Sequence, residues 1–208
     1  MALETFHHYQ HLYEEFFSVR FKPIPIVDIV EDYDLVAGSV RIHENASRWY
    51  FFIPERLTEW ELFVLLETKQ WLSPNTEKVV IRNKIKELTT RKGIAEARAQ
   101  HLYDLFMQVT CGYGLLEVLL GDAKLKAIRI HTLNKVSTVK VDIEHYGECN
   151  TNLLFTKEFI DTLSKKLRHE RCAGLEPCSI RIGDIPVSAH VKDEAGQHLH
   201  SRTIKIKK

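Results

Sequence analysis

Gly112-Tyr113-Gly114-Leu115-Leu116-Glu117-Val118-Leu119-Leu120-Gly121-Asp122-Ala123-Lys124-Leu125-Lys126-Ala127-Ile128-Arg129-Ile130-His131 is the stretch where the chain changes texture. Before it, apolar residues recur at helical spacing; after it, they alternate with polar ones. Leu115–Leu120 reads as a short apolar helix and Gly121-Asp122 as a turn. Lys126–His131 reads as a half-buried strand, followed by Val136–Ile143. Two glycines in four residues give the backbone freedom to bend at Cys111–Gly114. We therefore expect a mainly helical lobe over 1–110 and an α+β domain over 112–208, hinged at this point.

Upstream, Tyr9, Leu12, Tyr13, Phe16 and Phe17 join Phe6 at helical spacing, which predicts an amphipathic helix within residues 1–20 whose aromatic face either docks a partner or packs on its own lobe. Residues 21–27 carry two prolines and must be extended. Val36–Ile42 and Trp49–Ile53 read as a short hairpin around His43–Ser47. Thr58, three residues before Glu61, predicts a capping box that opens a helix over Glu59–Leu72. Two more helices follow, about Thr76–Lys92 and Ile94–Thr110, separated by Gly93. Their stripes are Val80, Ile81, Ile85 and Leu88, then Leu102, Leu105, Phe106 and Val109.

Downstream, His145–Glu148 turns into a strand at Thr151–Phe155, and Thr156 caps a helix reaching about Arg168. Ser179–Ile182, Ile185–Val191 and His198–Lys207 read as closing strands. Helices on one face of an antiparallel sheet make an α+β fold.

The 208 residues carry a formal charge of +1 and are 44% hydrophobic, so neither disorder nor a bulk pull toward nucleic acid is indicated. No signal peptide or membrane-length apolar run stands out, and we expect a cytoplasmic protein, peripheral to a membrane at most. Cys111, Cys149, Cys172 and Cys178 fit neither zinc spacing nor a dense disulfide framework, so we read them as thiols in a reducing compartment. His7, His8 and His11, and separately His198 and His200, cluster without the further ligands that a closed zinc site needs; no metal is expected.

Gly-x-x-x-x-Gly-Lys-Ser/Thr is missing, so these residues cannot cradle a nucleotide as a P-loop does. Gly112-x-Gly114 lacks the third glycine and the βαβ context of a dinucleotide site. No nucleophile elbow and no set of acid, base and nucleophile emerges, so no catalytic residue is assigned. At the end, Arg202, Lys205, Lys207 and Lys208 alternate with Ile204 and Ile206. That pattern fits an edge strand guarded by lysines; an anion or nucleic-acid contact is the other reading.

The Gly112–His131 stretch resembles a recurring segment of the type II and type IV secretion ATPases, a superfamily that includes archaeal pilus and flagellar motor ATPases. Gly112, Gly114, Leu116, Glu117, Leu119, Leu120, Asp122, Leu125, Ile128 and Ile130 carry the match. The following elements and the ending Arg202-Thr203-Ile204-Lys205-Ile206 extend it over about 95–208. The chain departs from the pattern at Leu115 (proline in the family), Ala127 (acidic), His131 (asparagine), Pro186 (arginine) and Lys205 (arginine). The resemblance implies a PAS-like domain in one tier of a hexameric ring, a piece of a longer secretion ATPase. No cofactor is implied in this chain: ATP and magnesium would belong to a C-terminal motor domain. Arg202 and Lys205 are implied as phosphate-side contacts to nucleotide held there. The implied partners are that motor domain, neighbouring subunits and a membrane platform protein, with no nucleic acid. A free-standing PAS-like scaffold or ligand-sensing module is the alternative.

Overall fold

A computed structural model describes residues 8–23, 28–44, 46–73, 75–133, 136–170, 172–173, 176–195 and 200–208. Phe6, His7, His198 and most of the proline-bearing 21–27 stretch, on which expectations were placed, lie outside them. The fold is α+β.

Helix α1 (Gln10–Phe17) leads into β1 (Val19–Phe21), then β2 (Ile29–Leu35), β3 (Gly38–Glu44) and β4 (Arg48–Pro54). Helices α2 (Glu59–Trp71), α3 (Lys78–Arg91), α4 (Glu96–Thr110) and α5 (Leu115–Gly121) follow. The remainder is β5 (Leu125–Leu133), β6 (Val136–Ile143), β7 (Gly147–Thr151), β8 (Leu153–Phe155), α6 (Lys157–His169), β9 (Cys178–Ile182), β10 (Ile185–Ala195) and β11 (His200–Lys207). No helix among the described residues is long and apolar enough to cross a membrane.

The expected capping box is present: Thr58 Oγ1 accepts from the Glu61 amide, and Glu61 returns a bond to the Thr58 amide. α1 ends at Ser18, whose φ of 55° is left-handed. Lys69 Nζ caps that end by donating to the Glu15 and Phe16 carbonyls and to Ser18 Oγ.

Nine strands form one sheet in the order β2-β3-β4-β7-β6-β5-β11-β10-β9, antiparallel except at β4–β7. β11 therefore lies inside the sheet, between β5 and β10; it is not the edge strand its lysines suggested. The β4–β7 contact is short, Trp49 opposite Asn150 and Tyr50 opposite Thr151. Asn152 extends it, its amide group accepting from Phe52 N (3.0 Å) and donating to Phe52 O (2.9 Å). β1 pairs with β8, a second bond between early and late chain.

One apolar core runs through both expected halves. It joins Phe52, Leu65 and Phe106 from the first to Leu119, Ile128, Leu167 and Ile204 from the second. Tyr13, Phe16 and Phe17 belong to this core, so of the two readings of the α1 aromatic face it is the inward-packing one that the structure contains, and not the docking surface. Strand alternation sends Ile128, Ile130, Ile204 and Ile206 to the helix-covered side and Arg129, His131 and Lys205 to the other.

Candidate functional site

The Gly112–Asp122 segment is a structural joint. Gly112 and Gly114 have φ of 60° and 59°, backbone that side chains rarely adopt. Glu117, on the first turn of α5, folds back so that its carboxylate accepts from the Tyr113 amide at 2.7 Å. A Cβ at Gly112 would collide with that carboxylate, and one at Gly183 would sit 3.2 Å from it. A Cβ on Gly114 would come within 2.9 Å of the Val109 carbonyl. The glycines thus let two turns close around one acid.

Asp122, only 1% exposed, ties the joint to the first half of the chain. Its Oδ2 accepts from Tyr33 of β2 (2.7 Å) and Tyr50 of β4 (3.1 Å), and its Oδ1 from the Lys124 amide (2.9 Å). Burial and then the neighbouring carboxylate push both phenols well above the ordinary tyrosine range. Both phenols therefore stay protonated at neutral pH, and the cluster holds two strands against α5.

Beside the joint lies an open cleft of about 350 Å³. Val109, Tyr113, Phe159 and Leu163 form its apolar part and Lys69, Lys166, Thr162 and Glu158 its polar part. Lys166 Nζ lies 5.4 Å from the Tyr113 ring and donates to the Gly112 carbonyl. Burial pushes the Lys69 ammonium below its usual range, opposed by Glu15.

Arg202 and Lys205 are not brought together. They are three residues apart on β11, an odd spacing that sends them to opposite faces. Arg202 turns toward α6: its Nε donates to Asp193 Oδ1 (2.8 Å), and Nη1 donates to Ser164 Oγ (3.1 Å) and lies 3.4 Å from Asp161 Oδ1. That network fastens α6 to the sheet. Lys205 is exposed on the open face, opposite His190 and Arg129. The pair cannot bind one phosphate from these positions.

Among the described residues, no group of three or more His, Cys, Asp or Glu side chains could hold a metal ion. His8 and His11 are exposed. The cysteines depart from expectation: Cys172 and Cys178 form a disulfide, their Cα atoms 4.9 Å apart. Cys111 and Cys149 are free thiols, and burial pushes that of Cys149 up to about 11.

A surface missed at the sequence level lies on α2. Trp60, Phe63 and Trp71 fall within about 80° of one another around the helix and are 52%, 53% and 47% exposed. The Lys92 ammonium lies 3.9 Å from the Trp60 ring. The opposite side of α2 is buried through Leu62, Leu65 and Leu66, while Glu59, Glu67 and Gln70 share the exposed side with the aromatics. Three large aromatics lying outside the leucine stripe of α2 were the available signal. A scan against protein-family models finds no match for this chain, and a search of curated proteins finds no relative.

Proposed function

We propose that this chain is the amino-terminal assembly and regulatory domain of a hexameric secretion, pilus or flagellar motor ATPase. It couples ATP turnover in a separate C-terminal motor domain to protein export or filament assembly. In this reading it works in the cytoplasm, peripherally at the inner face of a membrane, beside a platform protein. ATP and magnesium belong to the motor domain.

The observation that carries the reading is the exposed Trp60–Phe63–Trp71 face on a rigidly packed helix. Large aromatics gathered on one exposed face mark a protein contact, and Trp is a favoured anchor in such contacts. The Gly112–Asp122 resemblance supplies the partner: a motor domain resting on this tier of the ring. The two acids of that motif, Glu117 and Asp122, accept bonds from within the chain, which supports a scaffold. A heterologous interface needs two complementary patches, and here one of them belongs to the motor domain.

The test is hydrolysis and sedimentation of the 208-residue chain alone. The expected results are no ATP turnover above background and mainly monomer at micromolar concentration. Turnover that survives removal of contaminants, or a stable hexamer, would overturn the proposal. A second reading, a ligand-sensing module, rests on the cleft beside Gly112–Gly114. It gains ground if small carboxylates raise the melting temperature of the wild type but not of Lys166→Ala.

A further inference from the structure

The face of the sheet opposite the helices carries a row of basic side chains. Ladder pairing sets His190 opposite Lys205, Lys205 opposite Arg129, and Arg129 opposite Lys140. Strands about 4.8 Å apart place this row across roughly 15 Å. Like charges directly opposite one another destabilise a sheet, and Lys205 stands opposite Arg129 in this way. Adjoining rows set Lys192 beside Thr203 and His131, and Lys207 beside Ala127 and Asp142. Over these rows Lys205, Arg129, Lys140 and Lys207 meet two carboxylates, Asp142 and Glu148. Glu148 serves both Arg129 and Lys140. No ion pair to Lys205 is found among the described residues.

Two shallow depressions mark the same face. One, of about 160 Å³, is bounded by His190, Lys192, Thr203 and Lys205; the other, of about 350 Å³, by Arg129, His131, Thr138, Lys140, Glu148 and Thr203. They share Thr203, so together they form one trough across β10, β11, β5 and β6.

We infer that this trough is a docking surface for an acidic polypeptide segment that crosses the strands. An extended chain rises about 3.3 Å per residue, so about five residues span the row. Charge complementarity selects an anionic partner. Single-stranded nucleic acid is disfavoured, because no phenylalanine, tyrosine or tryptophan lines the trough itself; Trp49 lies two strands beyond Lys140, across Asn150. A lipid surface is disfavoured, because the rows present no exposed large apolar side chain to insert. The inference stands independently of the assembly role proposed above.

The experiment is fluorescence anisotropy with a labelled poly-glutamate peptide at about 50 mM salt, comparing wild type with Lys205→Glu and Lys140→Gln. Lys165→Glu, on the exposed side of α6, is the control. The expected result is saturable binding weakened about tenfold or more by Lys205→Glu. Lys140→Gln should weaken it less, and Lys165→Glu should change it little. Because Lys205→Glu relieves like-charge contacts, its melting temperature should equal or exceed that of the wild type. Undetectable binding to the wild type, or equal loss in the Lys165→Glu control, would overturn the inference. So would tighter binding of polyuridylate or of phosphatidylserine vesicles than of the peptide.

Discussion

Replacing Asp122 by alanine should be among the most damaging single changes in the chain. The carboxylate accepts the Tyr33 and Tyr50 hydroxyls and the Lys124 amide, and the Tyr50 side chain is fully buried. Hydrogen bonds to a charged acceptor contribute about 1.5–3 kcal/mol each, and a buried hydroxyl left without a partner costs about 1–3 kcal/mol. Allowing for the partial exposure of Tyr33, the loss should be about 4 kcal/mol. At about 2–4 °C per kcal/mol for a chain of this size, the melting temperature falls by about 8–16 °C. Urea unfolding at neutral pH measures this through the midpoint at unchanged slope. Tyr50→Phe and the double variant complete a cycle, with an expected coupling of about 1–2 kcal/mol. Should Asp122→Ala fail to fold, Asp122→Asn with Tyr50→Phe gives a gentler cycle. A cost below about 1 kcal/mol for Asp122→Ala, or strict additivity with Tyr50→Phe, would refute the claim that this carboxylate joins the two halves of the chain.

Three further outcomes follow from the same structure. Gly114→Ala should cost about 2–3 kcal/mol, because φ is 59° and the new Cβ meets the Val109 carbonyl. Gly93→Ala, with φ of 68° and open space around it, should cost only about 1 kcal/mol, and equal costs in urea would contradict the argument. Reducing Cys172–Cys178 opens a short loop, their sequence separation being 6. Loop-closure entropy sets the loss at about 2 kcal/mol, read as a lower urea midpoint in dithiothreitol that Cys178→Ser abolishes. Burial pushes the Glu61 carboxyl up, but the Arg98 guanidinium and the Thr58 amide together pull it below its usual range. A depressed carboxylate contributes stability that is present above its unfolded pKa and lost as pH falls through the folded value. Stability should therefore drop below about pH 4.3, and Glu61→Gln should flatten that part of the profile; an unchanged acid limb would refute the assignment.

What could be read from the residues was mostly local. The Thr58–Glu61 capping box, the breaks at Gly93 and Gly112–Gly114, and the alternation of Ile128, Ile130, Ile204 and Ile206 are each decided within a few positions, and the structure contains them. β2 escaped because its exposed edge carries Glu31, Asp32 and Asp34, which hide any apolar alternation. Its anchor, Tyr33 on Asp122, is 89 residues away in sequence. The parallel β4–β7 contact and the place of β11 between β5 and β10 depend on which strands meet, information that spacing alone does not hold. The lysine-rich β11 looked like an edge because charged edges and charged open faces share one alternating pattern. The opposite orientation of Arg202 and Lys205 was legible from their odd separation; the ion pairs that commit Arg202 to α6 were not. The α1 aromatics and the α2 aromatics have similar helical spacing, and only the packing of neighbouring helices separates the core face from the exposed one.

The claim that this chain serves a motor domain is tested most directly by peptide sequencing of the native polypeptide past Lys208. The account predicts that the chain continues into a domain bearing Gly-x-x-x-x-Gly-Lys-Ser/Thr. A native polypeptide that ends at Lys208, or that continues into residues without this motif, would contradict it.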